Sequence, residues 1–449
     1  MKTSNDNILS GPITKTLILM TFPVILMNVT QSLYGLVDMA ILKSYYNDTI
    51  VGAVGTSGIL MVLCSNMLTG VAAGASVVVA KHLGAKNNHA ANRASMTSLV
   101  FTTISSILFL IVGVIFAEKF LMMTNCPETI LPYATKYFKL YFIGVPLTAI
   151  ASTLLSVIRA TGDTKTPFYF SLISGGVKII ALYIFTAFFD MNVIGAGLSS
   201  IIANFSTSVL SLVVLMKKDS MIKLDFSHIV FDMKEFKSML YIGIPTGLQT
   251  SLYSFANVVI SSAVNTFGAD ATTGVSIANQ FDGIMYQIIH APSLAVIPFV
   301  SQNVGAKNFD RVKKAFLSST LITIVIGAGL GTLSAIFSGE LSATMTKSPE
   351  VIAYSMQKMV IISSTYFICG INEVLSGVLR GIGKPIPPTV CTLIYMCLLR
   401  LLWVYAIFPL FPNLTFLYTV WPLGWVLSII TLLFIYFPTI KRLQNQKSY

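Results

Sequence analysis

Charge is what this sequence has least of. Asp, Glu, Lys and Arg make up 10% of its 449 residues, against about 25% in a soluble domain. Hydrophobic residues make up 55%, and mean hydropathy is +0.79. That balance excludes a water-soluble globular protein and predicts one embedded in lipid. Cysteine is scarce too: Cys64, Cys126, Cys369, Cys391 and Cys397 include no pair at metal-ligand spacing. They read as small buried hydrophobes, and neither a metal nor a cofactor is expected. No His-Glu-x-x-His run or other convergent His, Glu, Asp or Ser constellation is present, which argues against a membrane-embedded enzyme. Met1–Lys15 has no apolar stretch of the signal-peptide kind, so the first hydrophobic segment is expected to remain as a helix.

What is present is stated twice. Leu-Gly-Ala-Lys-Asn at Leu83–Asn87 returns as Val-Gly-Ala-Lys-Asn at Val304–Asn308, a shift of 221 residues. Arg159-Ala-Thr-Gly162 returns as Arg380-Gly-Ile-Gly383 at the same shift, and Pro23 has Pro245 as its counterpart at 222. Two strings sharing one offset mark a duplicated chain. Stretches apolar enough to span, about 20 residues or more each, fall at 16–42, 51–80, 95–117, 132–157, 167–189 and 193–216. Their second-half equivalents are 239–267, 271–303, 315–338, 351–378, 388–410 and 415–438. The expected fold is an all-α integral membrane protein of twelve transmembrane helices in two pseudo-symmetric six-helix lobes. Six spans per half is even, so the repeat is parallel. The expected domains are a lobe at 1–216, a cytoplasmic linker at 217–237 with an amphipathic turn on the membrane, and a second lobe at 238–449.

The net charge of +12 reports orientation. Reading the spans alternately from a cytoplasmic N-terminus puts Lys81, Lys86, Arg93, Arg159, Lys165, Lys217, Lys218, Lys223, Lys234 and Lys237 inside. Lys307, Arg311, Lys313, Lys314, Arg380, Lys384, Lys441, Arg442 and Lys447 join them, and only Lys43, Lys119, Lys136, Lys139, Lys347 and Lys358 lie outside. This asymmetry is the positive-inside rule and argues against a nucleic-acid partner. It predicts a multi-pass protein of the cell membrane with both termini cytoplasmic.

Several of these phrases together resemble the multidrug and toxic compound extrusion (MATE) family of secondary transporters, over nearly the whole chain. The carriers are Leu36-Val37-Asp38, Gly84-Ala85-Lys86-Asn87, Arg159-x-x-Gly162-Asp163-Thr164, Gly195-Ala196-Gly197, Gly305-Ala306-Lys307-Asn308 and Leu379-Arg380-Gly381-x-Gly383. The glycine-bearing turns end spans, and their basic residues suit the headgroup interface. The resemblance implies that the aspartate of span one, here Asp38, couples transport to protons or sodium. It also implies an Asn and an Asp in span five, where this sequence has Lys178 and Leu182. Acidic residues that some members carry in span seven are replaced by Gln249 and Tyr253.

Ionisable residues inside the spans are functional candidates by default. Gln31 and Tyr34 precede Asp38 by seven and four residues, which places all three on one helical face. Lys178 must pair, snorkel or lose its proton; a pair with Asp38, broken by a proton or a cationic substrate, is one outcome. Such a lysine supplies no oxygen ligand, so H+ is favoured over Na+ as the coupling ion. Arg400 follows Lys178 at a shift of 222, and Glu373 is its expected counter-ion in a buried pair. In span eight, Asn279, Asp282, Tyr286 and His290 form a polar stripe at intervals of three, four and four, suited to lining a wet cavity.

The expected function is a multidrug efflux antiporter exporting small amphipathic organic compounds, cationic ones above all, in exchange for H+ or Na+ by alternating access. A monomer surrounded by membrane lipid is expected. The alternative is a flippase for lipid-linked or cell-wall precursors, which requires several mid-membrane Arg or Lys residues; Lys178 and Arg400 are two.

Overall fold

A computed structural model describes residues 8–124, 126–217, 221–227 and 229–445. Lys218 and Lys447, counted above among the inner charges, lie outside the described residues. The described chain is helical, with no strand. The helices of the first half are α1 (Ile13–Tyr45), α2 (Asp48–Gly84), α3 (Asn88–Met123), α4 (Leu131–Ala160), α5 (Lys165–Ala187) and α6 (Asn192–Met216). The second half has α7 (Met233–Val264), α8 (Ala269–Gly305), α9 (Phe309–Ile336), α10 (Pro349–Ser364), α11 (Tyr366–Ile382), α12 (Ile386–Leu410) and α13 (Leu414–Asn445).

Ten of these are long and apolar enough to cross a membrane, and eleven spans result when α10 and α11, bent by 47° at Thr365, count as one. The remaining expected span, 239–267, is α7. It has the length, 32 residues, but Thr246, Gln249, Thr250, Ser251, Ser254 and Asn257 dilute its apolar character.

The chain divides into two compact units. Unit 1 comprises Leu26–Gly247; unit 2 comprises residues 8–25 and 248–445. The divisions fall inside α1 and α7, two residues beyond Pro23 and Pro245 in each case. A proline removes one backbone hydrogen bond from a helix and weakens it locally.

The repeat is also visible in the backbone. Lys86 and Lys307 both have φ of 57°, and Gly162 and Gly383 both have φ of 88°. Each is the left-handed residue that closes a helix end. The Gly162 and Gly383 amides donate to the carbonyls of Arg159 and Arg380 at 2.9 Å. In the Gly-Ala-Lys-Asn turns it is the lysine, and not the glycine, that takes the positive φ. Gly84 and Gly305 are still the last residues of α2 and α8.

The linker differs from its expected form. Residues 221–227 contain no helix, and Ile222 and Leu224 are buried in unit 1. Polar contacts hold the segment to the start of α3: Lys223 N donates to Asn92 Oδ1 at 3.0 Å, and Asp232 N donates to Thr97 Oγ1 at 3.0 Å. Arg93 reaches Asp232 at 3.3 Å, and His82 reaches Glu235 at 3.0 Å. The carboxyl of Asp232 is held below its usual value, chiefly by the backbone N–H of Lys234 that it accepts at the start of α7. Ile222 and Leu224 thus pack on protein, while Phe226, Ile229, Val230 and Phe231 stay exposed.

Within unit 1, α2 and the first turns of α7 meet through glycines four apart on both helices, Gly70 and Gly74 against Gly243 and Gly247. A β-carbon on Gly243 would lie 2.8 Å from Val71 Cα, and one on Gly74 would lie 2.9 Å from Gly243 N and closer still to Met239 O. Lipid does not drive helices together hydrophobically, so such backbone-to-backbone packing supplies the adhesion. Gly74→Val should therefore lower stability by about 1–3 kcal/mol, the usual cost of overpacking, read as a lower unfolding temperature of the purified protein. Gly176→Ala, whose added carbon meets nothing within 4 Å, should stay within about 0.5 kcal/mol of the parent.

Candidate functional site

In unit 1 the expected face of α1 meets α5. Gln31 Nε2 donates to Ser171 Oγ at 3.3 Å, Tyr34 Oη donates to the Leu172 carbonyl at 3.1 Å, and Lys178 Nζ forms an ion pair with Asp38 Oδ2. Gly175 makes the approach possible, because a β-carbon there would run into the ring of Tyr34. The Asp38 and Lys178 side chains are 17% and 24% exposed. Asp38 Oδ1 is shielded and accepts no hydrogen bond. One carboxylate oxygen is thus paired with an ammonium, and the other has no hydrogen-bond partner among the described residues. A cavity of about 220 Å³ in the same unit is walled by α2, α4 and α6, with Tyr141, Thr148, Ser200 and Asn204 as its polar groups. Gln31 and Tyr34 do not line it, and it carries no charged residue.

Unit 2 holds a larger cavity of about 430 Å³, lined by three of the four stripe residues of α8: Asn279, Asp282 and Tyr286. The fourth, His290, stacks under Tyr286 with ring centres 5.5 Å apart and planes 7° apart, as side chains four residues apart on a helix can. Tyr253 of α7 extends the stack at 5.8 Å. Lys358 of α10 pairs with Asp282 at 2.8 Å and also donates to Asn279 Oδ1. Tyr366 Oη donates to the Asp282 carbonyl at 3.1 Å.

Beside this cluster, α8 and α11 come together at Gly377, where a β-carbon would fall 2.6 Å from Ser293 Oγ. That hydroxyl donates to the Glu373 carbonyl at 2.7 Å. The Glu373 carboxylate is met by Tyr286 Oη at 3.4 Å, His290 Nε2 at 3.5 Å and Arg380 at 3.8 Å.

The expected pair of Glu373 with Arg400 is therefore not made. Arg380 stands two turns beyond Glu373 on α11 and reaches its carboxylate. Arg400 lies on α12 and is turned elsewhere. It donates to Asn257 Oδ1 at 2.7 Å and lies over the rings of Trp421 and Tyr253, at 4.8 and 5.4 Å from their centres. Two π-helical stretches, Thr392–Leu398 and Trp403–Ile407, flank it; such stretches widen a helix locally and recur at functional sites. Arg380, read from the sequence as an interfacial anchor, is buried beside Glu373.

Lys358 is the residue that sequence reasoning missed. Counted as an outer charge, it is 3% exposed and faces Asp282. The signal was there, since it lies inside the apolar stretch 351–378, where a lysine requires a partner. Among the described residues no group of His, Cys, Asp and Glu could hold a metal ion.

Known proteins bear on this geometry in three ways. The sequence profile of the MatE family matches twice, over residues 23–184 and 245–406. The probable multidrug resistance protein YoeA of Bacillus subtilis is 25% identical over 386 residues, covering 84% of this chain and 83% of that one. An FAD transporter of Shewanella oneidensis is 23% identical, covering 88% of each chain. In fold, the chain is similar to a multidrug resistance MATE family transporter solved in an outward-facing conformation. The TM-score is 0.91 at 17% identity, over 98% of this chain and 99% of that one. Two matches of the profile at the repeat spacing, covering most of the sequence, place the chain in the MatE family of multi-pass membrane transporters.

Proposed function

We propose that this protein is a multidrug efflux antiporter of the cell membrane, exporting amphipathic organic compounds while protons enter. The observation that carries the reading is the Asp38–Lys178 pair inside the spans of unit 1, with one shielded carboxylate oxygen left free. A proton arriving at Asp38 cancels the pair, and a pair that is cancelled no longer ties α1 to α5. Conformations that differ in this contact therefore differ in proton affinity, and that difference is what couples a gradient to a conformational cycle. Lys178 occupies a place where sodium would need an oxygen ligand, which supports H+ as the coupling ion. The proline-weakened points of α1 and α7 suit an alternating-access motion. The similarity to drug-resistance proteins supports the cargo class.

The flippase reading is not favoured. The interior of unit 2 holds more cations than expected, but Lys358 and Arg380 are each neutralised by a carboxylate. A monomer in lipid, with both termini cytoplasmic and no bound cofactor, completes the proposal.

In proteoliposomes, a proton gradient alone should drive export of an amphipathic dye such as ethidium or fluorescein, and a sodium gradient alone should not. Asp38→Asn should abolish that export while the protein remains in the membrane; undiminished export would remove Asp38 from the mechanism. Because removing one member of a shielded pair strands the other, Asp38→Asn should also lower the unfolding temperature. The double variant Asp38→Asn/Lys178→Gln should recover the stability without recovering transport. Recovery of both would make the pair purely structural.

A further inference from the structure

Unit 2 contains a cation that no described carboxylate neutralises. Arg400 is fully buried, and its guanidinium meets Asn257 Oδ1, the Met396 sulfur and two aromatic faces. None of these is a carboxylate, and Arg400 Nε has no acceptor at all. Ring faces and one amide dipole offset part of the cost of burying the charge. They do not cancel its field.

Three of the residues around Arg400, namely Asn257, Tyr253 and Trp421, also line the 430 Å³ cavity. The guanidinium therefore lies one side-chain layer behind the cavity wall. On the wall, Lys358 and Asp282 neutralise each other. Behind it, Arg380 neutralises Glu373. Arg400 is the cation left over. Tyr418, on the wall, adds a buried hydroxyl that has no partner. The walls also carry the aromatic rings of Tyr253, Tyr286, Tyr366, Trp421 and Trp425 among aliphatic residues and serines, and the volume is within the roughly 300–1,000 Å³ of small-molecule sites.

We propose that this cavity is a binding site for a flat aromatic compound carrying an anionic group. The ring system packs against the tyrosine and tryptophan faces, and the anion sits at the Asn257 side, in the field of Arg400. This assignment rests on the efflux reading and deepens it, reversing the cargo charge expected from the sequence. Aromatic faces that would attract an organic cation are here partly occupied by the protein's own guanidinium.

The chain has three tryptophans, Trp403, Trp421 and Trp425, and the last two line the cavity. Quenching of intrinsic fluorescence in the purified full-length protein thus reads occupancy of this site. Fluorescein and rhodamine 123, xanthene dyes of opposite charge, are the probes. Fluorescein should bind at least about tenfold more tightly, a difference of about 1.4 kcal/mol. Arg400→Gln should erase that preference and leave rhodamine 123 binding unchanged or tightened. Asn257→Asp keeps the guanidinium but gives it a carboxylate within the chain, and it should erase the preference as well. That variant decides the matter if Arg400→Gln does not fold. Rhodamine 123 binding as tightly as fluorescein in the parent protein, no quenching by fluorescein, or unchanged preference in Asn257→Asp would overturn the proposal. The titration uses no ion gradient, so a failure of proton-driven export counts against the coupling reading and leaves this result standing.

Discussion

Hydrocarbon offers no water to a charge, and that constraint decides which helices of this protein touch where. An ionic group inside a span needs a partner within the protein, and here most of them find one on a neighbouring helix. Asp38 and Lys178 join α1 to α5, Lys358 and Asp282 join α10 to α8, and Glu373 joins α11 to the Tyr286 and His290 faces of α8. Such pairs add little net stability relative to an apolar core, because desolvation offsets the attraction. What they fix is register: sliding α5 along α1 by one turn would separate the lysine from the aspartate.

Small residues are the other half of the same solution. Ionic side chains can reach across an interface only when the helix axes are close, and glycine sits beside two of these contacts. Gly175 gives the Tyr34 ring its place against α5, one turn before Lys178. Gly377 lets Ser293 of α8 reach the Glu373 carbonyl. The polar cluster and the glycine contact beside it are one structural feature.

Much of the fold was legible because it is written in local, periodic signals. The duplication, the helix ends at Arg-x-x-Gly, and the stripe Asn279, Asp282 and Tyr286 all follow from spacing along one strand of sequence. Partner choice was not legible. Both Arg380 and Arg400 were available to Glu373, and the selection depends on how α11 and α12 are rotated, which residues far apart in sequence determine. Lys358 was misplaced for a different reason: it was counted with the outer charges although it lies inside the stretch 351–378, and its partner Asp282 on another helix is not visible in its own segment. In the linker, alternation did not tell which apolar residues turn inward: Ile222 and Leu224 pack on protein, while Phe226, Ile229 and Phe231 are exposed.

The breaks in the repeat show how one scaffold yields two different interiors. Lys178 and Arg400 occupy matched positions, so both halves keep a cation at that place. Asp38 has Ile260 as its counterpart at the same shift, an apolar residue on the wall of the unit 2 cavity. Unit 1 therefore neutralises its cation within the chain, through Asp38. Unit 2 has the cation without that acid, and among the described residues no other carboxylate takes the place, because Glu373 is held by Arg380. A buried guanidinium supported only by an amide and two rings is most stable when an anion comes near. A single substitution pattern in the duplicated frame thus gives one half a closed ion pair and leaves the other a buried guanidinium one side-chain layer from a cavity.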